Sequence, residues 1–275
     1  MKLNYYIKLL LASIIILVLY LVFDALFLSR NSLGSINLWG VVSAILIVIL
    51  LGLYVSYSSL RGLKLVLSVF FIYYIIGHFN LLIEAYIFNV TDRAETTKEM
   101  FQGLFIVAIF APLFVLVLNK WEGSSESLRF KGRSVFSWIW RSVLGIFIYL
   151  IFYIGAGMIL QATYPDLMSF YEGKLPAADV MILTQFPRGL LFVLVAILML
   201  RTLKLPQFKK ALIIGLVFSV IGGIAPLIPP SEFMPANIRL VHGIEVGISN
   251  FLYGMTLAYL LGQELLNKSD HAPIE

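Results

Sequence analysis

Eight blocks of about twenty consecutive, mostly apolar residues constrain the fold of this chain more than any other feature. Each block is long enough to cross a bilayer as a helix, which satisfies its own backbone hydrogen bonds in lipid. No ten-residue alternation typical of a membrane β-barrel is present in the sequence. We therefore predict an all-α, polytopic integral membrane helical bundle with eight transmembrane helices, at about 5–28, 37–59, 63–90, 101–119, 136–161, 180–201, 209–229 and 238–263.

Composition and loop length leave little room for anything outside the membrane. Only 13% of the 275 residues are charged, against about 25% in soluble domains. The chain has no Cys, which excludes disulfides, thiolate metal sites and thiol nucleophiles. All predicted connections are short, so we predict a single membrane domain over 1–275. The flexible segment 120–135 could join two halves, 1–119 and 136–275.

The distribution of basic residues predicts the orientation in the membrane. Most of the 20 Lys and Arg residues fall in segments on the N-terminal side of the predicted spans, and the positive-inside rule places that side in the cytoplasm. Both termini are therefore expected to be cytoplasmic, in a multi-pass protein of a cell membrane, by expectation a bacterial inner membrane. The basic residues are spread over several loops without interleaved aromatic residues, so we expect no nucleic-acid partner.

Polar residues inside the spans are concentrated in the half that this orientation places outside. Ionisable residues at membrane depth are costly and are functional candidates by default. Their distribution predicts an outward-facing polar pocket built from the third, sixth and eighth helices. The candidate ligand- or proton-binding residues are Glu84, Glu245, Arg188, Arg239, His242, His78, Asn80 and Gln185.

These residue types indicate binding or proton-linked transport of a small anionic or amphiphilic molecule. Glu84 and Glu245 would be proton or cation sites, because a membrane-embedded carboxyl group can carry a proton. Arg188 and Arg239 would anchor an anion by paired hydrogen bonds, and His242 would be a hydrogen-bond or ligand partner. The expected partners are the lipid bilayer and this small molecule, and the oligomeric state is left open.

Two other classes of function stay open from the sequence. One is a metal- or haem-dependent intramembrane enzyme, in which His78 and His242, with Glu245, would hold the cofactor. No motif such as H-E-x-x-H supports it, so neither a cofactor nor a catalytic residue is assigned. The other class is a non-catalytic membrane receptor or assembly protein, which requires only the outer polar cluster.

Glycine and proline patterns predict how the last two helices pack. Gly222, Gly223 and Pro226 interrupt the seventh helix, and the proline pair at 229–230 should end it. On the eighth helix, one small face that would permit close helix packing consists of Gly243, Gly247, Asn250 and Gly254. His242 and Glu245 lie one turn apart on a different face.

Overall fold

The computed structural model describes residues 2–27, 37–89, 92–173, 175–231 and 234–264. Within those ranges, eight helices are long and apolar enough to cross a membrane. The predicted all-α polytopic bundle is therefore confirmed. The described residues form no strand, and an isolated antiparallel bridge joins Ser58 to Leu203.

The helices follow one another with short connections. One helix, α6, is too short to span a bilayer and joins the fifth and sixth spans. In chain order the helices are α1 Lys2–Phe27, α2 Leu38–Tyr57, α3 Gly62–Phe88, α4 Arg93–Val117, α5 Val135–Thr163, α6 Pro165–Tyr171, α7 Ala178–Thr202, α8 Gln207–Leu227 and α9 Ala236–Leu261.

Polar caps decide where several helices begin. Asn37, before α2, accepts a hydrogen bond from the backbone of Gly40 at 2.8 Å. Asp92 accepts two backbone hydrogen bonds at the start of α4, which satisfies donors that have no partner within the helix. This cap starts α4 at Arg93, a full two turns before the predicted start near 101.

Two of the helices contain a π-helical segment, Ile75–Phe79 in α3 and Val217–Ile224 in α8, and these segments pack against each other. A Cβ atom on Gly77 would lie 3.0 Å from Ile221 Cγ2, and one on Gly222 would lie 2.9 Å from Ile76 Cγ2. The two glycines therefore allow α3 and α8 to approach more closely than larger residues would.

Side chains from other helices donate hydrogen bonds to backbone carbonyls near the proline-containing end of α8. Pro226 has no N–H to donate to the preceding turn, and in that turn the Gly222 carbonyl accepts from Asn250 Nδ2 of α9 at 3.2 Å. The Ala225 carbonyl accepts from Ser43 Oγ of α2 at 2.8 Å and from the Ile228 N–H at 3.4 Å. The end of α8 that contains Pro226 is thus held to α9 and α2 by hydrogen bonds.

The small face of α9 packs directly on α8, as predicted. A Cβ atom on Gly254 would lie 2.9 Å from the Cα of Gly215, and one on Gly247 would lie 2.8 Å from Ile224. Beside this contact, the rings of Phe192, Phe218 and Tyr253, from α7, α8 and α9, pack against one another in the buried core. Close backbone contact and aromatic packing together hold this half of the bundle.

Candidate polar site between α3, α5, α7 and α9

A buried ion pair between Glu84 of α3 and Arg188 of α7 lies at the centre of the site. The Arg188 Nη1 and Glu84 Oε2 atoms are 2.5 Å apart, and the two side chains are 7% and 27% exposed. Arg188 Nη1 also donates to Gln185 Oε1 at 2.9 Å, and its Nε donates to Asn80 Oδ1 at 3.3 Å. The structure therefore brings four of the sequence-predicted residues into one network.

Helical spacing explains why these residues meet. Asn80 and Glu84 lie one turn apart on α3, and Gln185 and Arg188 lie one turn apart on α7. Each helix therefore presents two polar side chains on one face, and the two faces lie against each other. Asn80 and Gln185 are almost completely buried, so the network is enclosed by protein.

Two tyrosines of α5, which are not among the residues predicted from the sequence, complete the network. Tyr153 donates its hydroxyl to Glu84 Oε1 at 3.0 Å. The Arg188 guanidinium carbon lies 5.8 Å from the centre of the Tyr149 ring, within the range of cation–π attraction. Their spacing of four residues was the available signal, but tyrosines are common in membrane helices and the pattern is weak by itself.

One polar atom of the network has no partner. Asn80 Nδ2 is buried and makes no hydrogen bond to any residue that the structure describes, although Asn80 Oδ1 accepts from Arg188. Such an unsatisfied donor costs about 1–3 kcal/mol. Its position beside Arg188 leaves room in the hydrogen-bonding pattern for an acceptor atom of a water molecule or a ligand.

A second polar pair lies on α9. His242 Nδ1 and Glu245 Oε2 are 3.1 Å apart, as expected for residues one turn apart. Tyr171, at the end of the short helix α6, meets the His242 ring edge-on with 6.3 Å between ring centres. The two side chains therefore lie on one face of α9, as their spacing predicted, and the structure shows that they contact each other.

Tyr171 lies near both polar groups. Burial raises the pKa of its phenol, and the nearby carboxylates of Glu84 and Glu245 raise that pKa further. The tyrosine also lines a cleft of about 320 Å³ with Ser169, Glu172 and other residues of this connection. Tyr171 therefore lies at the surface cleft and close enough to both carboxylates to be influenced by their charges.

Arg239 has a different environment from Arg188. Its Nε donates to the Leu227 carbonyl at 3.1 Å, and its Nη1 donates to the Met234 carbonyl at 3.1 Å. Leu227 is the last residue of α8, so Arg239 satisfies carbonyls at the end of that interrupted helix. Among the described residues, its hydrogen bonds link α9 to this turn and not to the network around Arg188.

His78 also lies apart from the network. Its Nε2 is 3.1 Å from the Tyr20 hydroxyl, which in turn lies 2.8 Å from the Tyr73 hydroxyl. Gly103 of α4 makes room for the imidazole, since a Cβ atom there would lie 2.5 Å from His78 Nδ1. His78 and His242 therefore belong to different side-chain groups, and within the described ranges no three His, Asp or Glu residues are grouped so that they could hold a metal ion.

Comparison with known proteins gave no relative from which a role could be carried over. No protein-family model, no curated protein and no solved structure matches this chain.

Proposed function

We propose that this protein binds a small anionic or amphiphilic molecule at the Glu84–Arg188 network and transports it together with a proton. The observation that carries the proposal is the buried guanidinium of Arg188, shared between the Glu84 carboxylate and neutral amides. A guanidinium offers several N–H donors in a planar fork that matches carboxylate, sulfonate and phosphate groups.

Exchange of partners at Arg188 would couple the ligand to the proton. While Glu84 is ionised, its carboxylate neutralises Arg188 and occupies a donor. Protonation of Glu84 would leave the buried guanidinium without a counter-charge, which is costly in a membrane. An anionic group of a ligand would then replace the carboxylate, and the free Asn80 amide would donate to the same group.

The surrounding side chains suit an amphiphilic ligand and a proton. Tyr149, Tyr153 and Tyr171 provide aromatic surface next to the charged groups. The hydrogen-bonded pair of His242 and Glu245 lies on α9, where the His242 ring contacts the ring of Tyr171. These residues would receive the proton at the edge of the site, near the cleft beside Tyr171.

Proteoliposomes that contain the pH dye pyranine test this proposal. We would add hexanesulfonate outside, because this amphiphilic anion stays ionised and cannot cross the bilayer as a neutral acid. Proton-coupled uptake should acidify the lumen in liposomes with the wild-type protein. Glu84→Gln should abolish acidification, and Arg188→Gln should abolish both acidification and the stabilisation of the detergent-solubilised protein by hexanesulfonate.

Arg201→Gln is the matched control, because Arg201 lies on the same helix but is exposed and bonds Gln263. It should behave as the wild type does. Hexanesulfonate binding without acidification would overturn the transport part of the proposal and support a binding protein. The same acidification in the Glu84 and Arg188 variants would overturn the proposed site.

A further inference from the structure

A polar cleft of about 540 Å³ lies at the opposite end of the bundle from Tyr171, where α2, α4 and α7 end. Its lining carries three basic side chains, Arg61, Lys120 and Lys204, and one carboxylate, Glu126. Hydroxyl groups of four serines and a tyrosine provide most of the remaining polar surface. In the sequence, these three basic residues belong to the positive charge that predicts the orientation of the chain.

Backbone hydrogen bonds tie the walls of the cleft together. Ser59 N–H donates to the Thr202 carbonyl at 2.7 Å, and Lys204 N–H donates to the Tyr57 carbonyl at 2.9 Å. Glu126 N–H donates to the Ser59 carbonyl at 2.9 Å. Three connections that are distant in sequence thus form one frame. A ligand would meet side chains that are already positioned, which lowers the entropy cost of binding.

Positive charge exceeds negative charge in this cleft. Glu126 forms an ion pair with Lys204, while the Arg61 guanidinium contacts the Glu122 backbone carbonyl at 3.4 Å. Burial lowers the pKa of Lys120, and the positive charges of Arg61 and Lys204 lower it further. The three basic groups therefore repel one another at close range, and a bound anion would relieve that repulsion.

We propose that this cleft binds a phosphate group, carried by a small molecule or by the headgroup of an anionic lipid. Phosphate oxygens accept hydrogen bonds from Arg61, Lys120 and serine hydroxyls, the donors that the lining offers. The volume falls within the range of about 300–1,000 Å³ typical of small-molecule sites. It therefore accommodates a phosphate ester together with its organic group.

The position of the cleft explains why a lipid is one of the two sources. The lining residues lie at or near the ends of helices that are long enough to span a membrane, so lipid headgroups are expected at this level. By the positive-inside prediction this end faces the cytoplasm, and basic pockets between helices on that side bind anionic headgroups. A soluble phosphate ester would reach the same cleft from the water.

Binding of glycerol 3-phosphate to the purified full-length protein in detergent tests the proposal. We expect a concentration-dependent rise in thermal stability that chloride at equal ionic strength does not produce. Lys120→Gln and Arg61→Gln should each weaken the affinity about tenfold, since each removes a charge-assisted hydrogen bond. Affinity should also fall as the pH rises through the pKa of Lys120, because the neutral amine no longer attracts the anion.

A control variant separates this site from other basic residues nearby. Lys209→Gln removes an exposed basic residue at the same end of the bundle, outside the cleft lining, and should leave the affinity unchanged. Glycerol 3-phosphate affinity that stays at the wild-type value in both cleft variants would overturn the proposal, as would stabilisation by chloride alone.

Nanodiscs distinguish the two sources of the phosphate. If the natural occupant is a lipid headgroup, glycerol 3-phosphate should bind more weakly in discs that contain phosphatidylglycerol than in pure phosphatidylcholine discs. Lys120→Gln should abolish that difference. Equal affinity in both kinds of disc would assign the cleft to a soluble phosphate ester. An absence of phosphate-dependent stabilisation in detergent and in both discs would overturn the site.

Discussion

At the scale of single residues, the charge of Arg188 is tolerated inside the bundle because several groups share it. Glu84 supplies the counter-charge, and Gln185 and Asn80 accept hydrogen bonds from other parts of the guanidinium. Removal of one partner from a buried pair leaves the other charge uncompensated, whereas removal of both is far less costly. The effects of substitutions at Arg188 and Glu84 on the free energy of unfolding should therefore be strongly non-additive.

We predict that Arg188→Met lowers the free energy of unfolding by about 3 kcal/mol, because it leaves Glu84 without its counter-charge. The double variant Arg188→Met, Glu84→Met should recover a large part of that loss. Unfolding by SDS in mixed micelles measures the free energy of unfolding of the wild type, the two single variants Arg188→Met and Glu84→Met, and the double variant. Arg201→Met, at an exposed position of the same helix, should change the free energy by less than about 0.5 kcal/mol. Additive effects of the Arg188 and Glu84 substitutions would contradict the coupling.

At the scale of helices, the interruption of α8 depends on donors from its neighbours. Pro226 donates no N–H to the preceding turn of α8. Asn250 of α9 donates to the Gly222 carbonyl in that turn, and Ser43 of α2 donates to the Ala225 carbonyl near the end of the helix. Unpaired carbonyls at membrane depth are costly, so irregular backbone there needs such partners. The packing of α2, α8 and α9 therefore depends on a few side-chain hydrogen bonds as well as on shape.

We predict that Asn250→Ala destabilises the protein by about 1–3 kcal/mol, because it leaves the Gly222 carbonyl buried without a donor. In that background, Pro226→Ala should recover part of the loss, since it returns a backbone N–H to α8. The measurement is the free energy of unfolding in mixed micelles. Ser249→Ala is the matched control, because among the described residues that hydroxyl donates within its own helix, to the Val246 carbonyl. An Asn250→Ala protein as stable as the control would refute this role.

At the scale of the whole molecule, the described residues place two polar groups toward opposite ends of the bundle. The network around Arg188 lies toward one end and the cleft around Lys120 lies at the other. Between them are the buried rings of Phe192, Phe218 and Tyr253. A ligand that passes from one end to the other would require this aromatic layer to move.

The orientation in the membrane can be tested directly because the chain has no Cys. We predict that Glu172→Cys reacts with a membrane-impermeant maleimide in intact cells, and that Ser127→Cys reacts only after permeabilisation. Both positions are exposed and lie in connections at opposite ends of the bundle. We expect this labelling pattern because Lys and Arg are in excess at the end of the bundle that contains Ser127, which predicts that this end faces the cytoplasm. The reverse labelling pattern would show that the orientation inferred from the charges is wrong.

The membrane class and the number of spans follow from the amino-acid pattern, because a bilayer requires long apolar helices that leave a clear pattern. Glu84, Arg188 and their amide neighbours are predicted as candidates in the same way, since polar residues are conspicuous in apolar helices. The packing of the helices determines which of these residues meet. It adds Tyr149 and Tyr153 to the network and gives His78 and Arg239 other contacts. Contacts between helices depend on how the helices pack and rotate, which a span pattern in one sequence does not encode.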